Sequence, residues 1–348
     1  MVKAAIALCA PLFMGCAYLM VPKVPSLECE DLIETESHGT IFYSCASDTT
    51  QAVLDTFDLV GRVKEYERQV FGFEDSVNYR EYKTPVTQAP EHSYKLYVAP
   101  RDAIAPEPAD EIYIGWAQEY RVFHENPVLL FSNACPNSDD LLDEEQFFRE
   151  NGYDTYRRDL TDFSPGATIT PDFLKLPLEG QVYVVQHEDR HFNNIITLGN
   201  SHDSDLEEPM ATMFGHASAL GFIGLNYGVK SAAYRNAAAN LQTWVSVSNI
   251  INSSYNLLEE LYAMNLPWEE AEHLKEAILS GAQGWRFAPL NNAKVVGMLP
   301  YTKFFPLVYR IYETHPSPME LQQILLRVPE DEDEGVEFLR RAVWMVVE

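Results

Sequence analysis

The pattern of apolar and polar positions changes character near residue 181. Before that point, SDTTQAVLDTFDLVGRVKEYERQVFGF sets Val53, Phe57, Val60, Val63 and Val70 at helical spacing, with Ser47 or Asp48 as its cap, and predicts one long amphipathic helix. SYKLYVAP alternates as a strand does, and EIYIGWA and PVLLFS are shorter candidates of the same kind. A helix from Glu144, a turn at NGYD and the strand-like TYRRDL lead into a proline-bounded loop. Beyond residue 181 the pattern is almost wholly helical. VKSAAYRNAAANLQTWVSVSNIINSSYNLLEELYAMN is the longest stretch, and PWEEAEHLKEAILSGAQ follows with Pro267 early in its first turn. The tail PEDEDEGVEFLRRAVWMVVE predicts a last helix whose acidic start suits the helix dipole. The fold class expected is α+β, with a mixed part over residues 23–180 bearing a small sheet, a mainly helical part over 181–348, and the functional site at their junction.

Residues 1–22 stand apart. MVKAAIALCAPLFMGCAYLMVP has one early lysine, an uncharged apolar run and small residues around Cys16, the layout of an export signal. FMGC resembles the bacterial lipobox, so Cys16 is expected to carry a lipid and to tether the chain to the cell envelope; an uncleaved membrane anchor is the alternative, which Pro11 weakens. Cys9 would leave with the signal. In an oxidising compartment Cys29 can pair with Cys45 or with Cys135. Charge narrows the partners: 52 acidic residues against 25 basic give a net charge of -27, which repels phosphate backbones and excludes nucleic acid as a partner.

Chemistry concentrates at QHEDRH, residues 186–191. On a helix His187 and His191 project from one face and both reach one ion, while Glu188 beside them is placed to take a proton from water. QVYVVQHEDRHFNNIITL reads as such a helix, with Val182, Val185 and Ile196 for packing. The bland alternative is a solvent-facing turn in which Asp189 or Glu188 pairs with Arg190; such a pair contributes little stability and explains the residues poorly. A catalytic zinc needs a third protein ligand. SHDSDLEEPMATMFGHASALGF, with a helix start capped at Asp205, offers Glu207, Glu208 and His202, and His216 reads as a supporting or structural residue.

These residues, in this order, resemble a family of bacterial proteins classed as aminopeptidases: exported, zincin-like, of the gluzincin type, many of them predicted lipoproteins. EYERQVFGFEDSVNYREY, KLYVAP, GYDTYRRDLTDFSPG, TPDFL and LNNAKVVGMLPYTKFFPLVYRIY match successive features of that family between about residues 60 and 315. The resemblance implies zinc held by His187, His191 and Glu208, since the family's glutamate lies in an Asn-Glu-x-x-Ala-Thr context that maps onto Glu208, Ala211 and Thr212 with Glu207 in place of the asparagine. It implies Glu188 as general base, a peptide substrate, and Tyr301 as the candidate oxyanion donor, a packed core tyrosine being the other reading. Asn291 and Asn292 would cap a helix or line the cleft, and TYRRDL would be an edge along which substrate pairs. Asp189 and Arg190 depart from the apolar and small pair of the family's motif. They leave a second expectation open, a catalytically degenerate zincin that binds peptide or metal, and a third is a structural envelope lipoprotein without metal.

Overall fold

A computed structural model describes residues 27, 29–84, 93–104, 120–123, 126–131, 145–160, 167–198, 205–281 and 289–344. The export segment with Cys16, the segment EIYIGWA, Cys135 and His202 lie outside the described residues.

The protein is α+β, mostly helical with two small antiparallel sheets. Strands β1 (Leu32–Ser37) and β2 (Thr40–Cys45) form a hairpin in register Leu32↔Cys45 to Ser37↔Thr40. Its two-residue turn puts both His38 and Gly39 at positive φ, 49° and 75°, the twist that two-residue hairpin turns require. A Cys29–Cys45 disulfide fastens the second strand to the chain ahead of the first. Helix α1 (Gln51–Phe71) begins at Thr50, whose side chain accepts from the Val53 N–H, rather than at Ser47 or Asp48, and ends at Gly72 in the left-handed conformation. Four residues of its expected stripe, Val53, Phe57, Val60 and Val63, are inaccessible to solvent, while Val70 in the last turn is half-buried.

The second sheet has the order β4-β5-β3-β6, with β3 (Ser93–Pro100), β4 (Tyr120–Phe123), β5 (Asn126–Phe131) and β6 (Tyr153–Leu160). β3 pairs along its whole length with β6, from Ser93↔Leu160 to Pro100↔Tyr153, so TYRRDL does lie in an edge strand of this sheet.

The helices that follow are α2 (Pro171–Lys175), α3 (Leu178–Leu198), α4 (Glu207–Tyr227), α5 (Ala232–Ala263), α6 (Trp268–Ser280), α7 (Asn292–Thr302), α8 (Phe305–Thr314), α9 (Pro318–Leu325) and α10 (Glu332–Ala342). α4 is apolar on nearly all sides and runs through the interior, packed against α3, α5, α8 and α9. One hydrophobic core joins the hairpin and α1 to α3, α4 and α8–α10; a second joins Tyr97 and Ala99 of β3 to α5, α6 and α7. Asn291 and Asn292 fix the second. Asn291 caps α7 through the Lys294 N–H at 2.8 Å, and the buried Asn292 donates to the carbonyls of Pro100 and Ala103, each at 2.8 Å. Among the described residues no helix is long and apolar enough to cross a membrane.

Candidate metal centre

α3 carries HEDRH in full helical register, and α4 returns against it so that its first turn faces the histidines. The Nε2 atoms of His187 and His191 are 3.2 Å apart. Glu208 Oε2 completes the triangle at 3.4 Å from His187 Nε2 and 3.5 Å from His191 Nε2. Four ligands arranged tetrahedrally at about 2.0–2.1 Å from an ion are separated by about 3.3–3.4 Å, so these three atoms already span one face of such a site. Among the described residues this trio is the group of histidines and acids able to hold a metal ion. Glu208 Oε2 is also buried, with the two imidazole nitrogens as its nearest polar neighbours at 3.4 and 3.5 Å.

The rival Glu207 has a different task. Its Oε1 meets His191 Nδ1 at 3.1 Å and Arg190 Nη1 at 3.2 Å, and Asn194 Nδ2 donates to both its oxygens at 2.8 and 3.1 Å. A carboxylate on the far nitrogen of a ligating histidine holds the ring in orientation and fixes which nitrogen is free for the ion. Burial opposes ionisation of Glu207, but Arg190 and His191 overcome it and hold its carboxyl down at about 2. Burial likewise opposes charge on Glu208, and His191 and His187 pull it well below the usual carboxylate range. His191, whose burial favours the neutral ring, is driven well above its ordinary value by Glu208 and Glu207. A cation taken up by the trio would compete with that proton.

Asp189 and Arg190 are not a solvent-facing pair. Both are buried, at 2% and 0% exposure, and each has its own partner. Asp189 Oδ2 receives Lys64 Nζ from α1 at 2.6 Å, while Ser76 Oγ and Asn78 Nδ2 donate to its Oδ1. Lys64 also donates to Ser76 Oγ at 2.7 Å, and Asn78 reaches the Glu188 carbonyl at 3.0 Å. Beside them, burial and Asp189 push the Glu67 carboxyl well above the usual range, against the pull of Lys64. The two residues that break the motif's usual apolar interior thus tie α3 to α1 and to α4.

Glu188 follows His187 on α3, and its backbone carbonyl accepts from Asn78 of this network. Burial pushes its carboxyl up, opposed by His187 and His191 and assisted by Glu208 and Asp189, which moves it toward the range a general base needs. Tyr183 packs at a tilt against His216 with ring centres 4.4 Å apart and lies 5.8 Å from the His187 ring. Burial, with His187 adding, holds His216 neutral down to about 3. Buried polar atoms without hydrogen-bond partners cluster on the facing turns of these two helices: His187 Nδ1, both amide atoms of Gln186, Thr212 Oγ1 and His216 Nε2. Tyr301 sits half-buried in the last turn of α7.

Reasoning along the chain brought His187, Glu188, His191 and Glu208 together but missed Lys64, Ser76, Asn78, Asn194 and Tyr183. Lys64 carried one signal, a charge one turn after Val60 and next to Val63 on the apolar side of an amphipathic helix. Asp205 is not the cap of α4: that position is Leu206, with no side-chain cap, and Asp205 pairs with Lys303 at 2.6 Å instead. Comparison of the chain with models of protein families, with curated proteins and with solved structures gives no match.

Proposed function

We propose that the chain is a zinc-dependent peptidase of the zincin type, an aminopeptidase, exported and tethered to the cell envelope through a lipid on Cys16. The triangle of His187 Nε2, His191 Nε2 and Glu208 Oε2, with edges of 3.2, 3.4 and 3.5 Å, carries the reading. Two imidazoles and one carboxylate are the ligand chemistry of catalytic zinc, which leaves a position open. Zinc held there would lower the pKa of a water and polarise a peptide carbonyl. Glu188, made more basic by its burial, takes the proton of the attacking water and returns it to the leaving amine. Glu207 keeps the His191 ring in place throughout, and on the sequence resemblance alone Tyr301 would be the donor to the developing oxyanion. The resemblance in sequence supports aminopeptidase rather than internal cleavage.

A degenerate site is the weaker reading, because Asp189 and Arg190, the residues that favoured it, are each neutralised by a buried partner of opposite charge.

The test is metal content by mass spectrometry on protein lacking residues 1–16, beside His187→Ala and Glu188→Gln, with hydrolysis of aminoacyl anilides measured in parallel. Near one zinc per chain is expected in the parent and in Glu188→Gln, loss in His187→Ala, and turnover in the parent alone. No metal in any of the three after dialysis against zinc sinks the proposal. Zinc without turnover of any free-amine peptide moves the chain to the degenerate reading.

A further inference from the structure

A second site is distinct from the trio in its lining, and Asp205 on its wall precedes Glu208 by three residues. Between α5, the junction of α7 with α8, and α10 runs a cleft of about 830 Å³, within the size range of ligand pockets, and none of the three metal-binding residues lines it. Leu299, Pro300, Leu307 and Val336 form apolar walls, while Asn252 and Asn256 project into it from successive turns of α5.

Asn252 is held by one end. Its Nδ2 donates to the Thr302 carbonyl at 2.8 Å, while its Oδ1 is buried and accepts nothing. A buried acceptor left open at the wall of a cleft calls for an N–H from an occupant. Asn256 is exposed, and its amide offers both a donor and an acceptor. Four residues along a helix rise about 6 Å. An extended polypeptide presents backbone groups to one side every second residue, about 6.6–6.8 Å apart. Two amides at this spacing fit consecutive same-side backbone groups of one extended segment, and a ladder of this kind recognises main chain whatever the side chains.

Charge adds direction. Lys303 in the cleft is already engaged by Asp205 at 2.6 Å and Glu332 at 3.3 Å. Arg340, on α10 at the rim, has no ion pair among the described residues and is the cation left to take a carboxylate from outside.

We propose that this cleft binds an extended peptide segment, with the Asn252 and Asn256 amides on its backbone and Arg340 on a carboxylate at its C-terminal end. The site is separate from the metal centre and does not depend on zinc.

The test is fluorescence anisotropy on the full chain carrying Glu188→Gln, which keeps the probe intact. The probe is a pool of N-terminally fluorescein-labelled hexapeptides of mixed neutral sequence, either with a free C-terminal carboxylate or amidated. Saturable binding that favours the carboxylate form and survives a chelator is expected. Asn256→Ala, an exposed change that leaves the fold intact, is expected to weaken binding about tenfold. Arg340→Gln is expected to abolish the preference for the carboxylate over the amide. Absence of saturable binding, or affinity unchanged in both variants, overturns the proposal. Loss of binding on chelation also overturns it, by placing the peptide at the metal centre.

Discussion

At Glu207 one carboxylate serves two cations, the Arg190 guanidinium and the His191 ring, and both are nearly closed to solvent. Removing its charge while keeping its shape should loosen the histidine without deleting a ligand. Glu207→Gln is expected to weaken zinc affinity about 10–100-fold, read by competition with a chelator of known strength. Asp189 is bound differently, by a lysine as buried as itself. Asp189→Ala would strand the Lys64 ammonium among Glu67, Ser76 and the α1 core, and a buried pair broken on one side costs about 3–5 kcal/mol. That loss should appear in the urea midpoint of Asp189→Ala and be largely recovered when Lys64→Met is added. Equal midpoints for the single and the double variant would count against a true ion pair. The histidines were legible in the sequence because one helical turn of spacing is a local property. The partners of Asp189 and Arg190 were not, since they come from 125 and 17 residues away.

Between elements, the metal centre depends on how closely α3 and α4 approach. Gly215 makes that approach: a Cβ there would stand 3.1 Å from the Tyr183 ring and 3.3 Å from His187 Cβ. Gly215→Ala favours the helix intrinsically, by about 1 kcal/mol, yet it must move α3 or the Tyr183 ring by a few tenths of an ångström. Zinc affinity is therefore expected to fall severalfold while helix content by circular dichroism is unchanged. An affinity equal to the parent's would show that the two helices have slack at this point. The long helices were read correctly because an apolar stripe at 3.6-residue spacing is written in the chain, as α1 shows. The β1–β2 hairpin went unread. LIETES and TIFYSC each bury one face only partly or irregularly, and the turn is His-Gly rather than the Asn-Gly or Asp-Gly that marks such turns.

Across the whole molecule, the two cores share α5, and the trio sits where α4 meets α3 beside the larger of them. That position makes stability depend on acid. Burial, with His187 adding, lowers His216 to about 3, whereas an unfolded histidine takes up its proton near pH 6.5. The unfolded chain thus binds a proton that the folded chain refuses, and stability present above about pH 6.5 drains away as pH falls toward 3. The slope is expected to be about 1.4 kcal/mol per pH unit for this one group. His216→Phe, which can still pack against Tyr183, should flatten that limb of a urea-midpoint profile; an unchanged slope would assign the acid sensitivity to other groups.

The sequence by itself determined what depends on neighbours within a few turns: the helical C-terminal region, the strands β3, β5 and β6, the placing of His187, Glu188 and His191 on one helix, and an acidic surface. Tertiary structure alone decided that Glu207 turns to His191 while Glu208, to which the sequence resemblance already pointed, reaches both histidines, that Asp189 and Arg190 are buried and paired, and that Cys29 meets Cys45. The reason is physical. Periodicity fixes which side of a helix a residue occupies, but a third ligand, a buried counter-charge or a disulfide needs a second segment at about 2–6 Å, and only the packing of α3 against α1 and α4 sets those distances.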